Sequence, residues 1–334
     1  MIRGLMGVGL LLSAVGVFAQ GNQGTITGTV TAQDVAVAAV TVQAKNTATG
    51  KVYTAITAKT GNFTIADISA GTYDVSVPPL WGITRRYMRE KLVVGAGESV
   101  RLDILLAGTP QNVVGDEGVI LAIHNTYAGL TGPAPRTPDG KPDFSGVWLA
   151  NVDPNPEPAA SLPWAADVVK ERRANNLQDW PWALCLPVEP FPSFPFLYRI
   201  VQNQSILVQL FIQEPHYRQV YLDGRAHPKD IDPTWMGHSI GHWDGDTLVI
   251  DSIGFNDKTW LISDLLPHTE MLHVIERYRR PDLAHLNIDI TIEDTGTFTK
   301  SLERHMTWEL TPGEDLSDYI CTENNKYREN TDHK

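Results

Sequence analysis

Between Gly24 and Ala107 apolar and polar residues alternate in short runs: GTITGTVTA, AAVTVQAKN, KVYTAITA, GNFTIADI, GTYDVSV and SVRLDILLA. A period of two puts one face of each run on a core and the other in water, which is the pattern of β-strands. Thr and Val fill these runs and suit a pleated surface. TATGK, KTGN, SAGT and GAGE lie between them as turns. About seven strands in some eighty residues predict a small β-sandwich. Residues 108–141 are rich in Gly and Pro and read as a linker around one short helical run, VILAIHNTYAGL. A second region starts near Pro142. It first runs through long irregular, Pro-rich chain from Asn151 to Phe196, broken by the helical stretch AADVVKERRANN. Alternation then returns in LYRIVQNQ, SILVQLFIQE, HYRQVYLDG, SIGHWDGDTLVIDS, MLHVIERYRR, HLNIDITIED and RHMTWEL. Consecutive antiparallel strands in this number predict a closed, lipocalin-like barrel over 142–334. The whole chain is therefore expected to be all-β, a sandwich followed by a barrel.

The first nineteen residues break this pattern. Arg3 precedes the apolar run LMGVGLLLSAVGV, and Val17 and Ala19 stand at the −3 and −1 positions of a cleavage site. The run is short for a bilayer, and no later stretch is apolar enough to cross one. The chain is thus expected to be exported, periplasmic or secreted, with no membrane span after cleavage. Of its 334 residues 42% are hydrophobic and 20% charged, enough for packed cores. A net charge of −12 without a basic stripe argues against nucleic-acid partners. Cys185 and Cys321 are the two cysteines, which leaves a disulfide or two buried thiols open.

The segments GTITGTVT, AAVTVQAKNTATG, TAKTGNFTIADISAGTYDVSV and LVVGAGESVRLDILL together resemble the carboxypeptidase regulatory-like family, a transthyretin-like sandwich over residues 24–107. That resemblance implies an accessory module, either a carbohydrate binder by analogy or a spacer without ligand; Tyr53, Tyr73, Trp81 and Tyr87 are too scattered to form an evident stacking platform. The segments RTPDGKPDFSGVW, YRQVYLDGRAHPKD, HSIGHWDGDTLVIDSIGFND and PHTEMLHVIERYRR resemble exported bacterial proteins of unassigned function, which implies no activity.

Eight of the ten histidines fall between His216 and His305. Asp244-Gly245 predicts a two-residue type I′ turn, so that Trp243 pairs with Asp246, Ile240 with Val249 and His238 with Asp251. His238, Ile240 and His242 then share a face, and a carboxylate beside His238 would orient the ring and favour its charged form. Three roles stay open. His238 and Asp251, with Glu276, would act as general acid and base in the barrel mouth, making the protein a hydrolase, lyase or isomerase. His238, His242, His268 and Glu270 would instead hold a divalent transition metal. Or these residues merely pin strand register. Arg225, His227, Trp235, His242, His268 and Arg277 are the expected substrate contacts, on loops and strands around the hairpin. GHSIG matches a nucleophile elbow at Ser239, but a hairpin follows where a helix is needed. No Gly-rich phosphate loop or dinucleotide fingerprint is present, so no nucleotide cofactor is expected. The alternative to an enzyme is a non-catalytic cell-envelope protein that binds carbohydrate or another small ligand.

Overall fold

A computed structural model describes residues 23–323 apart from 33, 81–83, 108–116, 152–158, 176–178, 188–190, 192–195, 213–215, 262–264, 319 and 322. The expected export signal and Trp81 lie outside these residues.

Nine strands build the first region: β1 (Gln23–Ala32), β2 (Val35–Ala36), β3 (Thr41–Asn46), β4 (Val52–Ile56), β5 (Asn62–Ser69), β6 (Gly71–Val77), β7 (Tyr87–Val94), β8 (Ser99–Arg101) and β9 (Ile104–Leu106). One sheet centres on β1, with β2, β5, β8 and β9 beside it; the other runs β4-β3-β6-β7. Between them Ile26, Val30, Val42, Phe63, Tyr73, Val75 and Ile104 are buried, the inward halves of the alternating runs. The run SVRLDILLA forms two strands rather than one, both parallel to β1. Asp103 lies at the break, and its Oδ1 accepts the Thr29 backbone N–H at 3.0 Å. The chain passes so close to β1 there that a Cβ on Gly28 would sit 1.8 Å from the Leu102 carbonyl oxygen. β7 was hidden in sequence by its charged stretch, Arg89-Glu90-Lys91, which faces solvent.

α1 (Glu117–Tyr127) lies within the expected linker, and it is anchored on both sides. Ile120 and Leu121 join the sandwich core, which also takes in Val147, Leu149 and Leu197 from the following barrel. His124 bonds both regions: its Nε2 meets the Ala38 carbonyl oxygen at 2.7 Å, and its Nδ1 meets Glu309 Oε2 at 2.5 Å. Asn125 completes the joint, accepting from the Ala38 N–H at 2.9 Å and donating to the Ala36 carbonyl at 2.6 Å. Chain that composition marks as a tether is therefore a packed splint.

The second region is a closed barrel of nine strands. They are β10 (Gly146–Leu149), β11 (Leu197–Gln202), β12 (Ile206–Phe211), β13 (Tyr217–Tyr221), β14 (His238–Asp244), β15 (Thr247–Ile253), β16 (His273–Arg279), β17 (His285–Glu293) and β18 (Leu302–Leu310). β10 is the strand that sequence alternation did not show. It is four residues long, follows Pro- and Gly-rich chain, and closes the barrel by pairing with β11 and β18. One pair departs from the expected meander: β13 and β14 run parallel, because the crossover 222–237 carries the chain back before β14 begins. α2 (Pro163–Ala174) lies between β10 and β11 in the chain. Cys185 and Cys321 form a disulfide that ties the C-terminal tail to the chain before β11.

Candidate functional site

The hairpin β14–β15 turns at Gly245-Asp246, one position later than the sequence predicts. Gly245 has φ +60°, and Asp246 is not among the residues of positive φ. Glycine thus takes the first central position, as in a type II′ turn, and spares both aspartates the left-handed backbone that type I′ would demand. Arg136 fixes the tip by donating to both Asp246 carboxylate oxygens, at 3.0 and 2.6 Å. Moving the turn by one residue moves every partner by two. His238 therefore faces Ile253, and Asp251 faces Ile240. A shift of two keeps side-chain parity, so His238, His242 and Asp251 still share a face.

That face is the outside of the barrel, not its lumen. Ser239, Gly241, Leu248, Ile250 and Ser252 point inward and are buried, whereas His238 and Asp251 are half-buried and His242 is exposed. Glu276 lies on the other side of the wall. It pairs with Ile250, one position out of phase with Asp251, and is wholly buried. The expected trio of His238, Asp251 and Glu276 is thus divided by the sheet.

Inside, Glu276 belongs to a closed polar network. Arg218 donates to Glu276 Oε2, to Ser239 Oγ at 3.1 Å, to Ser252 Oγ at 2.7 Å and to Gln209 Oε1 at 3.3 Å. Tyr278 donates to Glu276 Oε1 at 3.0 Å and accepts from Gln209 Nε2 at 2.7 Å. Burial, with the Glu276 charge behind it, lifts the Tyr278 hydroxyl well above its ordinary range. Burial alone would lower Arg218, but the Glu276 carboxylate outweighs it and the guanidinium is held charged. Ser239 Oγ is taken by Arg218 and Ser252, which leaves no nucleophile there. Trp148, Tyr198, Trp308, Leu286 and Ile288 belong to the same packed core.

Outside, a chain of imidazoles and carboxylates lies along the wall. His227, on the crossover, places Nδ1 2.8 Å from His238 Nδ1 and Nε2 3.3 Å from Asp251 Oδ1. His273 reaches the same Asp251 oxygen with Nε2 at 3.0 Å and Glu293 Oε2 with Nδ1 at 3.1 Å. Tyr221 stacks on His238 with ring centroids 5.4 Å apart, and the Arg225 guanidinium lies 3.8 Å over the Tyr221 ring. Partial burial first, then His227 and Arg225, push the His238 imidazole below its ordinary range. Arg225 itself is held by the Asp223 carboxylate.

The other expected contacts scatter. Trp235 is half-buried on the crossover, with Lys258 Nζ 5.9 Å from its ring centroid. Arg277 is exposed on the outer wall beside Val249 and Asp289. His268 is buried in the chain before β16, bonded to Thr259 Oγ1 at 2.5 Å and the Thr269 carbonyl at 3.1 Å. Burial pushes its ring below the ordinary range. Glu270 is exposed. The proposed ligand set His238, His242, His268 and Glu270 is therefore not brought together, and among the described residues no group of three or more His, Cys, Asp or Glu is placed to hold a metal ion. Tyr221, His273 and Glu293 were not anticipated. They sit in phase with Asp251 on neighbouring strands, a signal that alternation carries only once register is known.

Residues 25–107 match the carboxypeptidase regulatory-like domain. No curated protein matches the chain. Among solved structures, a cohesin–X-dockerin complex from Acetivibrio cellulolyticus shares 22% identity over 30% of this chain and 70% of its own, with a TM-score of 0.21. A Bacteroides uniformis protein provisionally described as carbohydrate binding shares 7% identity over 85% of this chain and 96% of its own, with a TM-score of 0.22. A DUF3823 family protein from Parabacteroides merdae shares 8% identity over 87% and 99%, with a TM-score of 0.21. TM-scores this low give these likenesses no weight for fold or function. Residues 25–107 are a carboxypeptidase regulatory-like domain, joined through α1 to a closed nine-stranded barrel.

Proposed function

We propose that this is an exported, non-catalytic binding protein, in which the outer wall of the barrel beneath the crossover 222–237 holds a small or glycan ligand and the sandwich is an accessory module. One observation carries this reading: the versatile side chains Tyr221, Arg225, His227, His238, Asp251 and His273 gather on the outside, while the lumen is filled by apolar packing and a polar network whose members satisfy one another. Trp308 Nε1 is a buried donor without a partner there, but apolar packing and the Arg218 network leave a ligand little else to bind. The outer wall offers half-exposed polar groups and an aromatic ring on rigid strands. No helix among the described residues is long and apolar enough to cross a membrane.

Acid–base chemistry is the second reading, and the Asp251–His227–His238 series favours it, since a carboxylate acting through one ring can orient another. It lacks the enclosure that would exclude water from a developing charge, and Glu276 is out of reach behind the sheet. Titration calorimetry with neutral cello-, xylo- and malto-oligosaccharides separates the two. Binding that His238→Ala and Asp251→Ala each weaken, with the saccharide recovered intact, is the expected outcome. Saccharide cleavage or rearrangement that both variants abolish would establish the enzyme instead; binding that neither variant affects would remove the site from the wall.

A further inference from the structure

The crossover 222–237 is fastened to the barrel at its two ends. At the start, the Leu222 N–H donates to the Ser205 carbonyl at 2.8 Å. At the finish, the Thr234 N–H donates to the Gly254 carbonyl at 3.0 Å, and the Thr234 carbonyl accepts from the Asn256 N–H at 2.8 Å. Ile231 packs so closely over Gly254 that a Cβ there would sit 2.4 Å from its Cγ2. Among the described residues no backbone hydrogen bond joins 223–233 to another element. Of residues 223–230, all but His227 are exposed. The His227 side chain, 16% exposed, sits between His238 of β14 and Asp251 of β15. This stretch also touches the wall through Arg225 over the Tyr221 ring, but Arg225 is an exposed side chain, and its carboxylate partner Asp223 belongs to the same stretch.

A contact between two imidazole nitrogens holds one proton. Across the 2.8 Å between His227 Nδ1 and His238 Nδ1 one nitrogen donates and the other accepts, and the contact forms with either as donor. The pair therefore tolerates one positive charge and not two. When both rings are doubly protonated, two N–H groups and two like charges face each other, and the contact is lost. The surrounding groups do not lift that limit. Asp251 of β15 accepts from His227 Nε2, but the same oxygen is shared with His273 of β16, whose other nitrogen meets Glu293 of β17. His238 faces the Tyr221 ring of β13, the His227 ring and the Arg225 guanidinium. Partial burial, then His227 and Arg225, hold its imidazole below the ordinary range. A ring that binds its proton less tightly with the crossover down than with it lifted makes closure pH-dependent. Closure is whole above the ordinary imidazole value of about 6.5 and is lost as pH falls through the lowered one.

We infer that the crossover is a strap pinned by the His227–His238 contact, and that acid lifts its middle, residues 223–230, from the wall while both ends stay fastened. As a device this stands on the geometry of the crossover. As control of the site it rests on the binding role proposed above, in which the ligand lies between strap and wall and is let go when the strap lifts.

The first test needs no ligand. Spin labels at Lys229→Cys in the strap and at the exposed Thr307→Cys on β18, in the whole chain with Cys185–Cys321 intact, report the distance from strap to wall by pulsed dipolar spectroscopy. The series runs from about pH 8 to about pH 4.5, above the ordinary carboxylate value of about 4. A narrow distribution should give way to a broad, longer one, the lifted fraction rising roughly tenfold, as expected when a hydrogen bond is exchanged for two facing charges. Circular dichroism of the same samples should not change. His238→Asn keeps an atom near the Nδ1 position that can donate or accept and takes up no proton, so its strap should stay down throughout. His227→Ala should be lifted at every pH. A strap that stays down at the lower limit in the unmodified chain, a rise that persists in His238→Asn, or a change that coincides with loss of circular dichroism would overturn the inference and leave the binding role standing. Cello-, xylo- and malto-oligosaccharides then test control of the site by stopped-flow dilution. A bound saccharide should leave the unmodified chain roughly tenfold faster at the lower pH and leave His238→Asn at one rate. A moving strap with saccharide loss independent of pH would overturn its control of the site. A moving strap with none of the three saccharides bound at any pH would overturn the binding role and keep the strap.

Discussion

His124 joins three parts of the molecule, and its replacement should loosen all of them in a way that depends on pH. Its side chain is 4% exposed, and both ring nitrogens face acceptors: the Ala38 carbonyl in the sandwich and Glu309 at the end of β18. An imidazole can satisfy both only with two protons. Burial opposes that charge, but the Glu309 hydrogen bond and charge, helped by the Ala38 carbonyl, outweigh it and raise the pKa. A folded ring that holds its proton more tightly than the unfolded chain adds stability that is whole below the unfolded value of about 6.5 and is lost as pH rises through the folded value. A buried charge-assisted hydrogen bond contributes about 1.5–3 kcal/mol, and a stranded acceptor costs ~1 kcal/mol more. Glu309 is 21% exposed and can recover some hydration, so His124→Ala should lose about 3 kcal/mol near pH 6. Above the folded pKa the wild-type ring keeps one donor for two acceptors, and the gap between the two proteins should narrow by roughly 1–2 kcal/mol. Urea unfolding followed by circular dichroism and tryptophan fluorescence from pH 6 to 9 measures both quantities. Leu121→Ala in the same helix removes packing without a titrating group, and its loss of about 2–5 kcal/mol should not vary with pH. A His124→Ala penalty as flat with pH as that of Leu121→Ala, or one below ~0.5 kcal/mol throughout, would refute a charged His124 at this joint.

Two further outcomes follow from the barrel and the tail. Glu276→Ala leaves Arg218 charged and without its carboxylate in the lumen, and should cost about 3–5 kcal/mol by thermal or urea unfolding, whereas the double replacement Arg218→Met with Glu276→Leu should recover most of it; a single variant as stable as wild type would mean that water reaches the network. Reduction of Cys185–Cys321, which spans 136 residues of sequence, should lower stability by roughly 3–5 kcal/mol, read as a fall in urea midpoint with dithiothreitol; an unchanged midpoint would show that the bridge constrains little of the unfolded chain.

Eight strands of the barrel and most of the sandwich strands were legible because each buries one face, and that requirement writes itself into alternate residues. β2 and β10 were not: at two and four residues they are too short to show a period, and their existence depends on the partners that flank them. β7 was masked by the solvent face of an edge strand, where charge replaces alternation. The candidate site was legible in its ingredients and in part of its geometry. The hairpin, and the shared face of His238, His242 and Asp251, follow from the Asp-Gly-Asp turn and from parity, which a two-residue slip preserves.

What alternation left open was which side of that hairpin is the inside. In β14 and β15 both faces mix polar with apolar residues: Ser239, Gly241, Leu248, Ile250 and Ser252 on one, His238, Ile240, Val249, Asp251 and Ile253 on the other. The choice was made by residues far along the chain. Arg218 and Glu276 can be buried only together, and they complete their hydrogen bonds with Ser239 and Ser252, which turns the serines inward and the histidines out. The exact partner of His238 likewise depended on which residue of the turn accepts a left-handed backbone and on Arg136 gripping Asp246. Local sequence thus set the strands, their faces and the chemical groups available. Closure of the barrel, by bringing distant charges within reach of one another, decided which of those groups were satisfied in the core and which were left on the outer wall.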